Sequence, residues 1–228
     1  MHLLIPAAGR GRRMGGDRNK LLLPLLGQPV LAWTLQAAAA APSTEWIGIM
    51  GQSVDFPAFE EILAALALTV PVELIVGGAT RQESVYNGLQ ALPPAAKWVS
   101  IHDGARCLAT PALFDRCSQA LESGVRGLIA AVPVKDTIKI VDGDLQVEST
   151  PDRARMWAAQ TPQGFELAEL LTAHQKGRDL GWEVTDDAAL FEKCGLPVQI
   201  VEGEETNLKV TTPADLEIAT LILRQRKA

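Results

Sequence analysis

Short runs of apolar, often β-branched residues alternate along the chain with longer stretches in which apolar positions recur every three or four residues. The first pattern suits a strand buried on both faces and the second a helix packed against it, so the alternation predicts βαβ units around a mostly parallel sheet. Strands are expected at Leu3 to Ala8, Trp46 to Met50, Val72 to Val76, Trp98 to His102 and Leu128 to Val132. The helices between them carry their own punctuation. Pro29 to Ala41 opens with proline in its first turn, and Phe56 to Leu68 follows Asp55 as a candidate cap. Arg81 to Leu92 stops before Pro93 and Pro94, and Pro111 to Ser123 follows Thr110 and ends at Gly124.

The regularity breaks after Pro133. Thr137 to Ile140 and Leu145 to Val147 are short alternating segments joined through Val141-Asp142-Gly143-Asp144, and Asp-Gly tolerates the positive φ of a tight turn, so a hairpin is predicted. Helices follow from Glu166 to Lys176 and from Asp186 to Cys194, the second stopped by Gly195. A strand from Val198 to Glu202 and a last helix opening at Thr212-Pro213 complete the pattern. The reading is a single α/β domain over 1–228, Rossmann-like with helices on both sheet faces, carrying 136–153 as an inserted β-arm.

Charge narrows the partners. Lys and Arg total 21 against 27 Asp and Glu, a formal net charge of −6, which argues against a nucleic-acid backbone or an anionic membrane as main partner. An anionic ligand must then be held by local positive charge. No apolar run approaches the roughly 18 residues that span a bilayer. The arginines come after Leu3-Leu4-Ile5 rather than before it, the reverse of a secretory signal, so a cytoplasmic location is expected. Cys107, Cys117 and Cys194 are odd in number and lack C-x-x-C spacing, and read as free thiols.

Three loops could do chemistry. The first strand runs into Pro6-Ala7-Ala8-Gly9-Arg10-Gly11-Arg12-Arg13-Met14-Gly15-Gly16, and five basic side chains fall between Arg10 and Lys20. Such a loop is either a basic surface loop or a phosphate cradle of backbone N–H groups. It has no G-x-x-x-x-G-K-S/T, and Met14 occupies the third-glycine place of G-x-G-x-x-G, which disfavours a P-loop and a hydride-transferring Rossmann enzyme. His102-Asp103-Gly104-Ala105-Arg106 closes the fourth strand, the edge at which open α/β sheets bind ligands. There Asp103 either caps locally or meets a divalent metal, and His102 on its apolar run reads as a core histidine. Gly77-Gly78-Ala79-Thr80-Arg81-Gln82-Glu83-Ser84 repeats the strand, turn, helix theme, and suits either a planar base or a plain capped helix entry. The adjacent carboxylates Asp186 and Asp187 suggest acid/base work or a metal site, but neighbours on a helix face different ways, and they read rather as acids favoured by a helix N-terminus.

With Asp136-Thr137-Ile138-Lys139, Arg153 through Thr161-Pro162-Gln163, Thr185-Asp186-Asp187-Ala188 and Asn207-Leu208-Lys209-Val210-Thr211, these segments resemble, in order and over essentially the whole chain, the 2-C-methyl-D-erythritol 4-phosphate cytidylyltransferases of non-mevalonate isoprenoid biosynthesis. The resemblance implies attack of the acceptor phosphate on CTP, with Mg²⁺, releasing pyrophosphate. It implies Arg13, Lys20 and Lys209 as catalytic cations around the triphosphate and Asp103 at the metal. Ala7, Ala8, Gly9, Gly11, Gly78, Ala79, Ser84 and Asp103 fall to CTP, and Arg106, Thr137, Arg153, Thr161 and Thr185 to the acceptor. It also implies a homodimer whose arms cross a two-fold axis. Asn19, Gly104 and Cys107 depart from the family pattern of proline, alanine and proline, and the first and third are expected to loosen two loops. A pentitol phosphate such as ribitol 5-phosphate is the alternative acceptor, because acceptors differing by a methyl branch and chain length leave little trace in a sequence. A catalytically silent CTP-binding module would have lost one of the three cations, and all three are present.

Overall fold

The computed structural model describes residues 1–9 and 19–227. The first half contains β1 (His2–Pro6), a short antiparallel pair β2 (Pro24–Leu25) and β3 (Gln28–Pro29), α1 (Val30–Ala39), β4 (Trp46–Gly51), α2 (Phe56–Leu66), β5 (Val72–Val76) and α3 (Arg81–Gln90). It continues through β6 (Trp98–Ile101), α4 (Pro111–Glu122) and β7 (Gly127–Pro133) to the hairpin β8 (Ile140–Val141) and β9 (Val147–Ser149). The chain ends with β10 (Trp157–Glu166), α5 (Leu167–Asp179), α6 (Ala188–Lys193), β11 (Gln199–Glu202) and α7 (Pro213–Lys227).

Seven strands form one sheet in the order β11-β7-β10-β6-β1-β4-β5. β1 is parallel to β4 and β6, β4 to β5, and β7 to β11, as the alternating pattern requires. Along β1, Leu3 and Ile5 enter one core and Leu4 the other, the two-residue period of a strand buried on both faces. The first core is completed by α1, α2, α4 and α7 through Leu31, Phe59, Phe114 and Leu223; the second by α3, α5 and α6 through Val85, Leu170 and Phe191.

Of the strands in the seven-stranded sheet, β10 is the one that the hydrophobic pattern did not announce, and the short pair β2 and β3 also went unannounced. β10 lies antiparallel between β6 and β7, with a register shift between Ala159 and Gln163. Pro162 falls within that interruption, one of the few places in a central strand where a residue without an N–H is tolerated.

Two local expectations are corrected. Asp55 stands at the N-cap of α2, but its side chain caps nothing; its Oδ2 accepts instead from Asn19 Nδ2 at 2.9 Å. In the hairpin, positive φ is adopted by Leu145 (63°) rather than Gly143, because Asp142 Oδ1 accepts from the backbone N–H of Asp144 and Gln146 and thereby closes the turn.

Because β1, β4, β5 and β6 run parallel, their C-terminal ends share one edge, and Ala7, Gln52, Gly77 and Asp103 follow them there. Backbone bonds from Ala7 N to Met50 O (2.7 Å) and from Gly77 N to Gly51 O (2.8 Å) fix the loop starts against one another.

Candidate active site

At that edge lies a cavity of about 840 Å³, ample for a nucleotide. One wall is the turn before α3. A Cβ on Gly77 would lie 3.0 Å from Ala8 Cβ and from Ser84 Oγ, and one on Gly78 would collide with Glu83, so both positions exclude side chains. Thr80 and Glu83 form a reciprocal capping box (3.0 and 3.2 Å), which assigns the Thr80 hydroxyl to the helix entry. Ser84 Oγ donates to Thr80 O and accepts from Gly78 N, locking the turn.

The opposite wall is electrostatic. Asp103 Oδ2 lies 2.8 Å from Lys209 Nζ and 3.7 Å from Arg106 Nε, while Oδ1 lies 3.9 Å from Arg81 Nε. Burial opposes ionisation of Asp103, but Lys209 and then Arg81 outweigh it and hold its carboxyl below the usual carboxylate range. Lys20 Nζ donates to Val210 O at 2.8 Å, and Val210 N donates to Ala105 O at 2.9 Å, so both lysine-bearing segments are tied to the Asp103 loop.

Behind Asp103 a buried relay sets its backbone. His102 Nε2 meets Arg106 O at 3.2 Å; a carbonyl can only accept, so this ring nitrogen carries the proton. Nδ1 then accepts from Thr161 Oγ1 (3.0 Å), which in turn accepts from Asp103 N (3.0 Å). Burial lowers His102 to about 4, so it is neutral at physiological pH and is the core histidine expected.

Ala7, Ala8, Gly9, Lys20, Gly78, Ala79, Ser84, Asp103 and Lys209 all line the cavity. Gly11 and Arg13 lie outside the described residues. The residues implied for the acceptor are scattered. Arg106 is spent on Asn207 O (2.7 Å) and Ala159 O (3.3 Å), and Thr161 is buried in the relay. Thr137, Arg153 and Thr185 are exposed and off the cavity wall. Arg153 lies instead in a hollow of about 460 Å³ at the base of the arm, beside Trp157.

Sequence reasoning gave no role to Arg81, and read Asp187 with Asp186 as an acid at a helix start. Asp186 does serve a helix start, accepting from Ala189 N, but Asp187, 1% exposed, pairs with Arg81 Nη2 at 2.8 Å and accepts from His174 Nε2 at 3.1 Å. The available signal was Arg81 itself, a cation at the first position of a helix, where the dipole disfavours one. Asn19 ties its loop rather than loosening it: Nδ2 donates to Ala7 O and Asp55 Oδ2, and Oδ1 accepts from Leu21 N. A Cβ at Gly104 would stand 2.8 Å from Leu21 Cδ1. Cys107 is buried and its thiol is pushed up to about 12, so it is no thiolate nucleophile.

The family model described as 2-C-methyl-D-erythritol 4-phosphate cytidylyltransferase matches residues 1–225. The protein of that name from Synechocystis sp. is 68% identical over 228 residues, covering 100% of this chain and 99% of that one. Its namesake from Crocosphaera subtropica is 66% identical over 226 residues, covering 99% of each. Among solved structures, the 4-diphosphocytidyl-2C-methyl-D-erythritol synthase from Anaerococcus prevotii superposes with TM-score 0.88 at 32% identity, covering 98% of this chain and 97% of that one. The 2-C-methyl-D-erythritol 4-phosphate cytidylyltransferase from Thermus thermophilus gives 0.79 at 32% identity, covering 97% and 98%.

Proposed function

The chain belongs to the 2-C-methyl-D-erythritol 4-phosphate cytidylyltransferase family, and from that premise we propose how its residues perform the reaction. It is a nucleotidyltransferase that transfers the cytidylyl group of CTP to 2-C-methyl-D-erythritol 4-phosphate, giving 4-diphosphocytidyl-2-C-methyl-D-erythritol and pyrophosphate in isoprenoid biosynthesis. The observation that carries the site assignment is an ionised carboxylate, the one acid lining the cavity among the described residues, ringed by cations at the mouth of two small-residue turns.

A phosphate monoester has a second pKa near 6, so the acceptor already carries a nucleophilic dianionic oxygen at neutral pH. No general base is needed. The barrier lies in bringing two polyanions together and in charge growth on the departing pyrophosphate, which fixed cations relieve. We assign that work to Arg13, Lys20 and Lys209, and in-line attack on the α-phosphate to the acceptor oxygen. His102, fully buried with both ring nitrogens hydrogen-bonded, and the raised Cys107 thiol support direct attack without a covalent enzyme intermediate.

Asp103 fits Mg²⁺ as a lone carboxylate. It is ionised, it faces the cavity, and among the described residues no group of three or more His, Cys, Asp or Glu is set to hold a metal, so phosphate oxygens and water would supply the remaining ligands. Bound there, the ion would screen triphosphate charge.

We further assign residues 1–228 to one nucleotidyltransferase domain with 136–153 as its arm, in line with a sheet that draws strands from His2 through to Glu202. The arm exposes Ile140 (48%), Leu145 (80%) and Val147 (60%), and a two-stranded hairpin is marginal in water until its apolar side is covered. Covering by a second copy would bring Thr137 and Arg153 toward the partner's cavity, supporting a homodimer with composite sites. Three free cysteines, two of them buried, accord with a cytoplasmic setting. Among the described residues no helix is long and apolar enough to cross a membrane.

The test is pyrophosphate release with CTP, UTP and ATP against methylerythritol phosphate and ribitol 5-phosphate. CTP with methylerythritol phosphate is expected to dominate; preference for ribitol 5-phosphate, or equal use of UTP, overturns the acceptor or base assignment.

A further inference from the structure

The two oxygens of Asp103 are held by different cations. Oδ2 meets Lys209 and Arg106, and Oδ1 meets Arg81. Lys209 is 40% exposed on a flexible stem and is the cation assigned above to the triphosphate. Once it turns toward a phosphate, Oδ2 keeps only Arg106 Nε at 3.7 Å, whose Nη1 and Nη2 are engaged by two backbone carbonyls, and Oδ1 keeps Arg81 alone.

Arg81 occupies an unfavourable place for a cation. It is the first residue of α3, where the helix dipole is positive, and it shares Asp103 with two other cations. A counter-charge balances it from behind. Asp187 Oδ2 contacts Arg81 Nη2 at 2.8 Å as an ion pair rather than an aligned hydrogen bond. Asp187 is itself fixed from two further elements: His174 Nε2 on α5 donates to its Oδ1, and its backbone N–H donates to Gln163 Oε1 on β10 at 3.2 Å. Nothing in the chemistry above uses Asp187 or His174. A fully buried carboxylate is costly unless paired, and Arg81 is its partner. Burial opposes the charge on each, but Asp187 with Asp103 outweighs it for Arg81, and Arg81 with His174 outweighs it for Asp187, so both stay ionised.

We propose that Arg81 is a positioning residue for the nucleotide step: braced by Asp187 and His174, its guanidinium grips the Oδ1 side of Asp103 and keeps that carboxylate aimed into the cavity when Lys209 leaves it. Lysine cannot replace it, because one ammonium cannot present Nε to one carboxylate and Nη2 to the other. The inference rests on the assignment of Asp103 and Lys209 to the nucleotide.

The test compares Arg81→Gln, Arg81→Lys, Asp187→Asn and the double variant Arg81→Gln/Asp187→Asn. Steady-state kinetics are measured together with calorimetric binding of CTP in the absence of acceptor. Arg81→Gln, Arg81→Lys and Asp187→Asn should each weaken CTP binding and raise KM for CTP about tenfold, the scale of one charge-assisted contact, while KM for the acceptor stays unchanged. The double variant should be no worse than Arg81→Gln, because both lesions break one unit. Wild-type CTP binding by folded Arg81→Gln, or additive losses in the double variant, overturns the proposal. Arg81 is on the cavity wall, so its variants decide the matter even if Asp187→Asn fails to fold. Asp103→Asn separates the layers: wild-type turnover there would sink the site assignment itself, whereas loss there with intact Arg81 variants sinks only the bracing role.

Discussion

Ala7, Gly78, Ser84, Lys20, Asp103 and Lys209 meet on the wall of one cavity, whereas Thr137, Arg153 and Thr185 lie exposed and away from it. The contrast follows from strand direction. Parallel strands deliver every C-terminal loop to the same edge, so the loops after β1, β4, β5 and β6 converge on one cavity without further device. The chain beyond β7 leaves that edge, makes the arm and returns antiparallel through β10, which carries its polar residues out of the cavity or into the buried relay. One half of the site is thus assembled within a chain, and under the homodimer proposed above the other half would be completed by the partner's arm.

The largest expected effect falls on the finished half. Replacing Lys20 or Arg13 by Ala should lower turnover on the order of 10² to 10³-fold, the scale of removing one preorganised charge donor, with little change in Tm. Either variant retaining over half of wild-type turnover would remove that residue from the cation set.

The unfinished half is tested by complementation. Lys20→Ala and Arg153→Ala, each inactive alone, are mixed under conditions of subunit exchange. Random exchange makes about half the dimers mixed, with one intact site in two, so about a quarter of full activity should return. Mixed dimers confirmed by mass that remain inactive would mean that each chain builds its own acceptor side.

A third measurement probes the strut that joins the halves. Unfolded His102 takes up a proton near its ordinary 6.5, and folded His102 only near about 4, so between those values the unfolded state binds more protons. Stability contributed by this group is present above pH 6.5 and is lost as pH falls toward 4, by up to about 3 kcal/mol. Urea unfolding at pH 7 and pH 4.5 should show His102→Asn to be less stable at pH 7 yet less sensitive to acid than wild type; equal slopes would refute the assignment. The smallest effect is expected at Cys107: Cys107→Ser should keep most activity, and a labelled CMP adduct trapped after quenching would contradict direct attack.

Much of the finished half could be read from the chain. Five parallel-strand segments, the capped starts of α3 and α4 and the glycine turns all announce themselves, because burial on both faces forces unbroken apolar runs and turns force small residues. β10 could not be read this way. Gln160, Thr161, Pro162, Gln163 and Gly164 offer neither alternation nor β-branched bulk, and their place in the sheet depends on bonds to His102, Asp103, Glu204 and Asp187 that lie far away in sequence. Arg81 and Asp187 were hidden for the same reason, since a pair so far apart along the chain leaves no local pattern. Asp55 shows the converse, a cap residue in the expected place whose side chain is diverted to Asn19.

The bond from Lys20 to the carbonyl of Val210 spans 190 residues. At a translation rate of roughly 5–20 residues per second, Lys20 waits on the order of ten to forty seconds before the segment that receives it has even been made. Lys209 comes in that same late segment, so a nascent chain can assemble the sheet edge and the glycine turns while still lacking one wall of its cavity. On the site assignment proposed above, a chain without its carboxyl-terminal stretch lacks Lys209 and the carbonyl that receives Lys20, and so cannot complete its set of cations.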